Sequence, residues 1–333
     1  MMRDAHRGPG IERSAAIGSA AAVVQAGRAL CRVAMLLAPL GVLAGWAGPA
    51  HADCAALRAA AASAQTAGQT AQLETLYEQV RIEPSCDDAF RDQFGRVVAR
   101  TLEREVYDGV NAGQPLAGFE PKLTRSLKYA RQWRVLAWLG DIAREGRRYD
   151  ESCRYYQDAL TVIQDEAATP KAPPPDVIEK IFRLAEETRL LAKTYVAAPK
   201  TRAGTPGGLG AASVRGFVPT RVDLPIEFEY NSVIFTTKGH KAVEDLADQL
   251  RQTPPAGPVT LVGHTDPRGS DDYNQPLSKR RALTVRETLR EMGVQAEILA
   301  EGHGSAEPRA TPAEGKYSLD ECYQMDRRVE VRR

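Results

Sequence analysis

An acid and a cluster of bases lie close together in the stretch from Gly263 to Leu289, GHTDPRGSDDYNQPLSKRRALTVRETL. Asp266 shares its segment with Gly269, Asp271, Asp272 and Asn274, residue types that favour turns. Lys279, Arg280 and Arg281 come next, at the expected opening of a helix. A loop carboxylate and a helix guanidinium beside one hollow would suit a zwitterion. The acid would accept an ammonium, and the guanidinium would grip a carboxylate through two parallel hydrogen bonds. The competing chemistry is acid–base catalysis by Asp266 with His264 or His303, which needs a polarised pair and a nucleophile or metal. No Gly-x-Ser-x-Gly elbow and no His-Glu-x-x-His occurs in the sequence. No third His or Cys is placed to complete a metal site, and the cysteine spacings are not a zinc pattern. Binding without a metal or cofactor is therefore expected, rather than an enzyme.

The elements that must carry these residues are legible from periodicity. PVTLVG before the loop reads as a strand. After it Leu283, Val285, Leu289 and Met292 fall close to helical spacing, with Ser278 as N-cap and Gly293 as stop. Upstream, VDLPIEFEYNSVIF alternates as a strand with Ile226, Phe228 and Tyr230 on one face. KAVEDLADQLRQ is a helix with Val243, Leu246 and Leu250 inward. Downstream come the strand AEILAEG, a loop from His303 to Met325, and the strand RRVEVRR. The expected fold is α+β, a βαβαββ sandwich over residues 219–333 with helices packed on a mixed sheet.

The rest of the chain reads differently. Residues 53–198 form an all-α domain, beginning with the helices DCAALRAAAASAQ and AQLETLYEQV. From Trp133 to Glu166, Leu136, Leu139, Gly140, Ser152, Tyr156 and Ala159 sit where a tetratricopeptide repeat places its packing residues. The stretch resembles one such repeat; a plain helical bundle is the alternative, since a lone repeat is not self-sufficient. DVIEKIFRLAEETRLLAKTYV would cap the stack as an amphipathic helix through Tyr195. The run AAPKTRAGTPGGLGAAS places a flexible linker over 199–218, which would uncouple the halves.

Composition narrows the setting. Apolar content of 43% and charged content of 26% suit a folded protein, and a net charge of +1 with 6% aromatics gives no nucleic-acid footprint. Arg28 and Arg32 precede the apolar run from Val33 to Ala52, which ends in Ala50-His51-Ala52, a small-x-small cleavage pattern. Residues 1–52 thus read as a signal peptide with an unusually long leading region. An uncleaved anchor is the alternative, though Pro39, Gly41, Gly45, Gly48 and Pro49 make a poor spanning helix. Neither Cys31 nor Cys54 follows a lipobox, so no lipid anchor is expected. In an oxidising compartment Cys54, Cys86, Cys153 and Cys322 allow three pairings. Cys54 with Cys86 is favoured because the two flank one helical hairpin, leaving Cys322 across the linker as a lone thiol.

FEYNSVIF, GHTDPRGSDDYNQPLSKRRALTV, AEGHGSAEP and DRRVEV, in that order, resemble the OmpA-like C-terminal peptidoglycan-binding domain, the type found in OmpA, the peptidoglycan-associated lipoprotein and MotB. The resemblance runs from about Val222 to Arg333 and leaves the helical half uncovered. It implies non-covalent binding of diaminopimelate in the peptidoglycan stem peptide. Asp266 would take the ammonium of that amino-acid end and Arg281 its carboxylate, with the helix N-terminus adding favourable potential. It further implies that Thr265 and Asn274 support the ligand, that Leu277 lines the pocket, and that Glu229 and Arg328 lie near it. Where the family often has glycine this chain has Pro276, expected to stiffen the turn. The implied setting is the periplasm of a Gram-negative envelope, in contact with peptidoglycan and with the outer membrane as the adjoining surface. A protein partner would dock on the helical region; a scaffold for such partners is the alternative main role.

Overall fold

The computed structural model describes residues 53–309 and 315–333. The expected signal segment lies outside them. Among the described residues, no helix is long and apolar enough to cross a membrane.

Among the described residues seven α-helices come first: α1 (Cys54–Thr66), α2 (Thr70–Ile82), α3 (Asp88–Asn111), α4 (Glu120–Ser126), α5 (Trp133–Glu145), α6 (Tyr149–Gln164) and α7 (Pro175–Leu191). Asp53 and Asp87 cap α1 and α3 by accepting from the main-chain N–H of Ala56 and Phe90, groups otherwise orphaned at a helix start. A disulfide joins Cys54 at the start of α1 to Cys86 just beyond α2, with Cα atoms 5.1 Å apart. Cys153 and Cys322 are both buried. Helices α5 and α6 form a tight hairpin. Ser152 Oγ donates to the Gly140 carbonyl at 2.8 Å, and a Cβ at Gly140 would press on the Tyr156 ring. Helix α7 stops at Leu191, so Tyr195 lies beyond it rather than on its face.

The second half alternates β1 (Arg221–Leu224), α8 (Thr237–Gln252), β2 (Val259–Gly263), α9 (Asp271–Glu291), β3 (Ile298–Gly302), α10 (Leu319–Asp326) and β4 (Val329–Arg332). The strands form one sheet in the order β1-β4-β2-β3. β2 and β3 run parallel, with Leu261 opposite Ala300, and β4 is antiparallel to both β1 and β2. The parallel pair needs a crossover, and α9 supplies it. Val259, Leu261, Val285, Leu289, Val329 and Val331 are buried between the helices and the sheet.

Four expectations are corrected. The first strand is short: ladder pairing ends at Leu224, because Pro225 has no N–H to donate. The chain then turns back through a single Phe228–Phe235 bridge, leaving Tyr230 97% exposed instead of sharing a face with Ile226. The stretch His303–Met325 is not all loop, since Ser318 and Glu321 build a capping box that starts α10. Helix α9 begins at Asp271, two turns before Ser278, which lies inside it; Gly293 does follow its last turn. Pro276 is therefore within a helix, not in a turn.

The largest correction concerns 199–218. Leu209, Ala211 and Val214 are buried, and one continuous core cluster runs from Leu136 of α5 to Val331 of β4. The small residues of this segment let it lie flat on the helices instead of hanging free. The halves are also joined by charge. Lys238 Nζ donates to the carbonyls of Leu190 (3.0 Å) and Ala192 (2.6 Å) at the end of α7, and to Glu227 Oε1 at 2.7 Å. Arg189 pairs with Asp245 at 3.1 Å, and Glu186 accepts from the Asp223 N–H at 2.8 Å.

Candidate functional site

Helix α9 crosses the ends of β2 and β3 at close range, and two glycines permit it. A Cβ at Gly263 would collide with the Ser278 carbonyl, and one at Gly302 with the Lys279 N–H and the Ser278 hydroxyl. Ser278 Oγ in turn accepts from the Gly304 N–H at 2.9 Å. This crossing brings the loop after β2 and the middle of α9 to one end of the sheet.

Asp266 stands on that loop with its side chain 9% exposed. Its Oδ1 accepts from the Arg268 N–H (3.1 Å) and Nε (3.0 Å). Its Oδ2 accepts from Arg268 Nη2 (2.7 Å) and Arg327 Nη1 (2.8 Å). Burial alone would raise its pKa; the hydrogen bonds from the two arginines outweigh that and hold the carboxyl at about 2. Asn274 Nδ2 donates to the Arg268 carbonyl at 3.1 Å and, more weakly, to that of Asp266 at 3.4 Å, tying the loop to α9.

Arg281 is 8% exposed. Its Nε donates to the Ser232 carbonyl at 3.1 Å, and its guanidinium carbon lies 5.0 Å from the centre of the Phe228 ring. Burial lowers its pKa. Among the described residues, no carboxylate pairs with it. It lines a cavity of about 220 Å³ together with Phe228, Glu227, Gln324, Arg327 and Arg328. Asp266 is not among the lining residues and reaches this cavity through its partner Arg327.

The remaining expected residues divide. Thr265 is buried, its N–H donates to the Gly304 carbonyl at 2.8 Å, and among the described residues its Oγ1 has no hydrogen-bond partner. Leu277 is buried and does not line the cavity. Glu229 is exposed and also stays outside; Glu227 lines the cavity instead, because the chain turns after Pro225. Arg328 does line it, yet its Nε is bound to Asp223 at 2.9 Å and its outer nitrogens to the Glu307 carbonyl at 3.3 Å. Arg327 is the member of that arginine pair that meets Asp266. The helix N-terminus does not act on Arg281, which stands ten residues, about 15 Å, into α9. The dipole's influence fades within the first turn, and Asp271 and Asp272 occupy that turn. Arg268, Arg327 and Glu227 were missed. Arg268, two residues from Asp266, was the one with a local signal.

A metal is a separate question. His264, Glu307 and Glu330 place ligand atoms within 4.8 Å of one another. Arg332 already contacts both carboxylates, at 2.6 Å to Glu307 and 2.5 Å to Glu330. Burial would raise the Glu330 pKa, but the His264 ring 3.4 Å away and the Arg332 guanidinium hold it at about 2. The donor set is that of an ion-pair network, and it fits a cation poorly.

Comparison with known proteins covers part of the second half of the chain. The OmpA family matches residues 227–317. Outer membrane protein A of Escherichia fergusonii is 36% identical over 110 residues, covering 31% of this chain and 45% of that protein. Outer membrane porin F of Pseudomonas fluorescens is 39% identical over 94 residues, 28% of each chain. The chain thus spans less than half the length of these relatives. Among solved structures, the peptidoglycan-associated lipoprotein from Burkholderia pseudomallei is 24% identical, covering 34% of this chain and 89% of that one, with a TM-score of 0.28. The cell wall anchor of the type VI secretion system from Pseudomonas aeruginosa is 28% identical over 33% of this chain and 76% of that one, with a TM-score of 0.27.

Proposed function

We propose that the OmpA family domain at residues 227–317 binds peptidoglycan non-covalently and anchors an exported envelope protein to it. The ligand is the free amino-acid end of diaminopimelate. Arg281 receives its carboxylate and Asp266 its ammonium. The observation that carries this reading is Arg281 itself: a buried guanidinium on a cavity wall, with a carbonyl and an aromatic ring for company and no carboxylate partner among the described residues. A buried charge without a counter-ion is costly, and a ligand carboxylate relieves that cost. Catalysis fits less well. A general acid needs a pKa near working pH, and Asp266 is held at about 2.

Sedimentation with isolated sacculi tests the proposal. Asp266→Ala and Arg281→Ala should each weaken binding by 30-fold or more, from about 2–5 kcal/mol for a stranded buried charge. Wall with lysine in place of diaminopimelate, lacking the distal carboxylate, should bind far less. Equal sedimentation on both walls, with Arg281→Ala behaving as wild type, would sink the pocket assignment.

A groove of about 810 Å³ on the helices supports a second role as a protein-interaction module. Trp133, Trp138 and Tyr107 line it beside Arg100 and Lys180, and among the described residues neither cation pairs with a carboxylate. An acidic segment of an envelope partner matches that lining. Loss of partner capture in Arg100→Glu/Lys180→Glu, with sacculus binding kept, would support it.

A further inference from the structure

The carboxylate that should receive the ligand's ammonium is already saturated. An ionised carboxylate offers about four lone-pair sites. Asp266 has four donors on them: the Arg268 N–H and Nε at Oδ1, and Arg268 Nη2 and Arg327 Nη1 at Oδ2. An arriving ammonium must displace one of these groups.

We infer that Arg268 is an intramolecular competitor for the ligand's ammonium, and so sets both the affinity and the ammonium requirement of the site. This rests on the reading of Asp266 and Arg281 given above. Of the three groups on Asp266, the Arg268 side chain leaves most cheaply, being more exposed than the Arg327 side chain at 39%. The Arg268 N–H is fixed by the loop, which Asn274 ties to α9. Arg327 follows α10 directly and is a wall of the cavity. The Arg268 side chain is 62% exposed, so water receives its charge when it swings out. In its paired position its guanidinium carbon also lies 5.2 Å from the centre of the Tyr323 ring. A ligand with a carboxylate but no ammonium engages Arg281 and leaves the Arg268–Asp266 pair intact. A ligand bearing both groups exchanges one cation on Asp266 for another, and its net gain is reduced by whatever the Arg268 pair was worth.

The substitution is Arg268→Gln in the full chain, which keeps the loop N–H and removes the competing charge. An exposed ion pair is worth up to about 1 kcal/mol, so sacculus binding should tighten by about 2- to 5-fold. Calorimetric titration separates this from a general change in the loop. The Kd for free diaminopimelate should fall by a similar factor, while pimelate, the same chain without amino groups, should bind both proteins alike. In an Asp266→Ala background Arg268→Gln should have no effect. Unchanged or weaker sacculus binding by a folded Arg268→Gln protein overturns the inference, as does an equal gain for pimelate. Failure of the parent reading looks different: Asp266→Ala and Arg281→Ala would then bind sacculi as wild type does.

Discussion

Lys238 is the sharpest test of how the two halves are joined. Its side chain is 8% exposed, and its ammonium makes three hydrogen bonds, to Leu190 O, Ala192 O and Glu227 Oε1. Lys238→Met keeps most of the volume and removes all three donors. It strands the Ala192 carbonyl and the Glu227 carboxylate, while the Leu190 carbonyl keeps Gln324 Nε2 as a donor at 3.0 Å. Removing one partner of a buried pair costs about 3–5 kcal/mol. Glu227 is 29% exposed and can recover some hydration, so the lower end, about 3 kcal/mol, is expected. For a folded unit of this size that is a fall of roughly 5 °C in Tm. Urea unfolding followed by circular dichroism gives the free energy, and the wild type should unfold in one transition because one core spans both halves. Glu227→Gln added to Lys238→Met should restore part of the loss, since it neutralises the stranded carboxylate. A Lys238→Met protein within about 0.5 kcal/mol of wild type, or two separate transitions in the wild type, would refute the welded interface.

Two further predictions concern acid and reductant. The folded-state pKa of Asp266 is depressed to about 2, so its contribution to stability is complete above the ordinary aspartate range and is lost as pH falls through about 2. With Arg268 largely in solvent, screening leaves a contribution of about 1 kcal/mol. Wild type should therefore lose about that much more stability than Asp266→Asn between pH 5 and pH 2, measured by urea titration at each pH. Reduction of the Cys54–Cys86 bond should cost about 4 kcal/mol in the loop-entropy estimate for this separation, with the loss of hydrogen-exchange protection centred on α1 and α2, whose cluster it closes. Loss spread evenly over the sheet would contradict that.

Much of this protein was legible in its sequence because the relevant physics acts over a few residues. The 3.6 period of KAVEDLADQLRQ, the short apolar run PVTLVG, the stop at Gly293 and the Cys54–Cys86 hairpin are all local. So is the placement of Asp266 on a loop after a strand and Arg281 on the helix that follows. The start of α9 was misread because Ser278 is a good cap by type, yet the crossing over Gly263 and Gly302 uses it mid-helix. Likewise 199–218 has a linker's composition, and composition cannot say whether small residues stay in water or lie against a neighbour. Only the tertiary structure decided which charges meet. Asp266 finds Arg327 across 61 positions, and Asp223 finds Arg328 across 105. Electrostatic partners are chosen by distance in space, and for charges this far apart along the chain that distance is a product of packing.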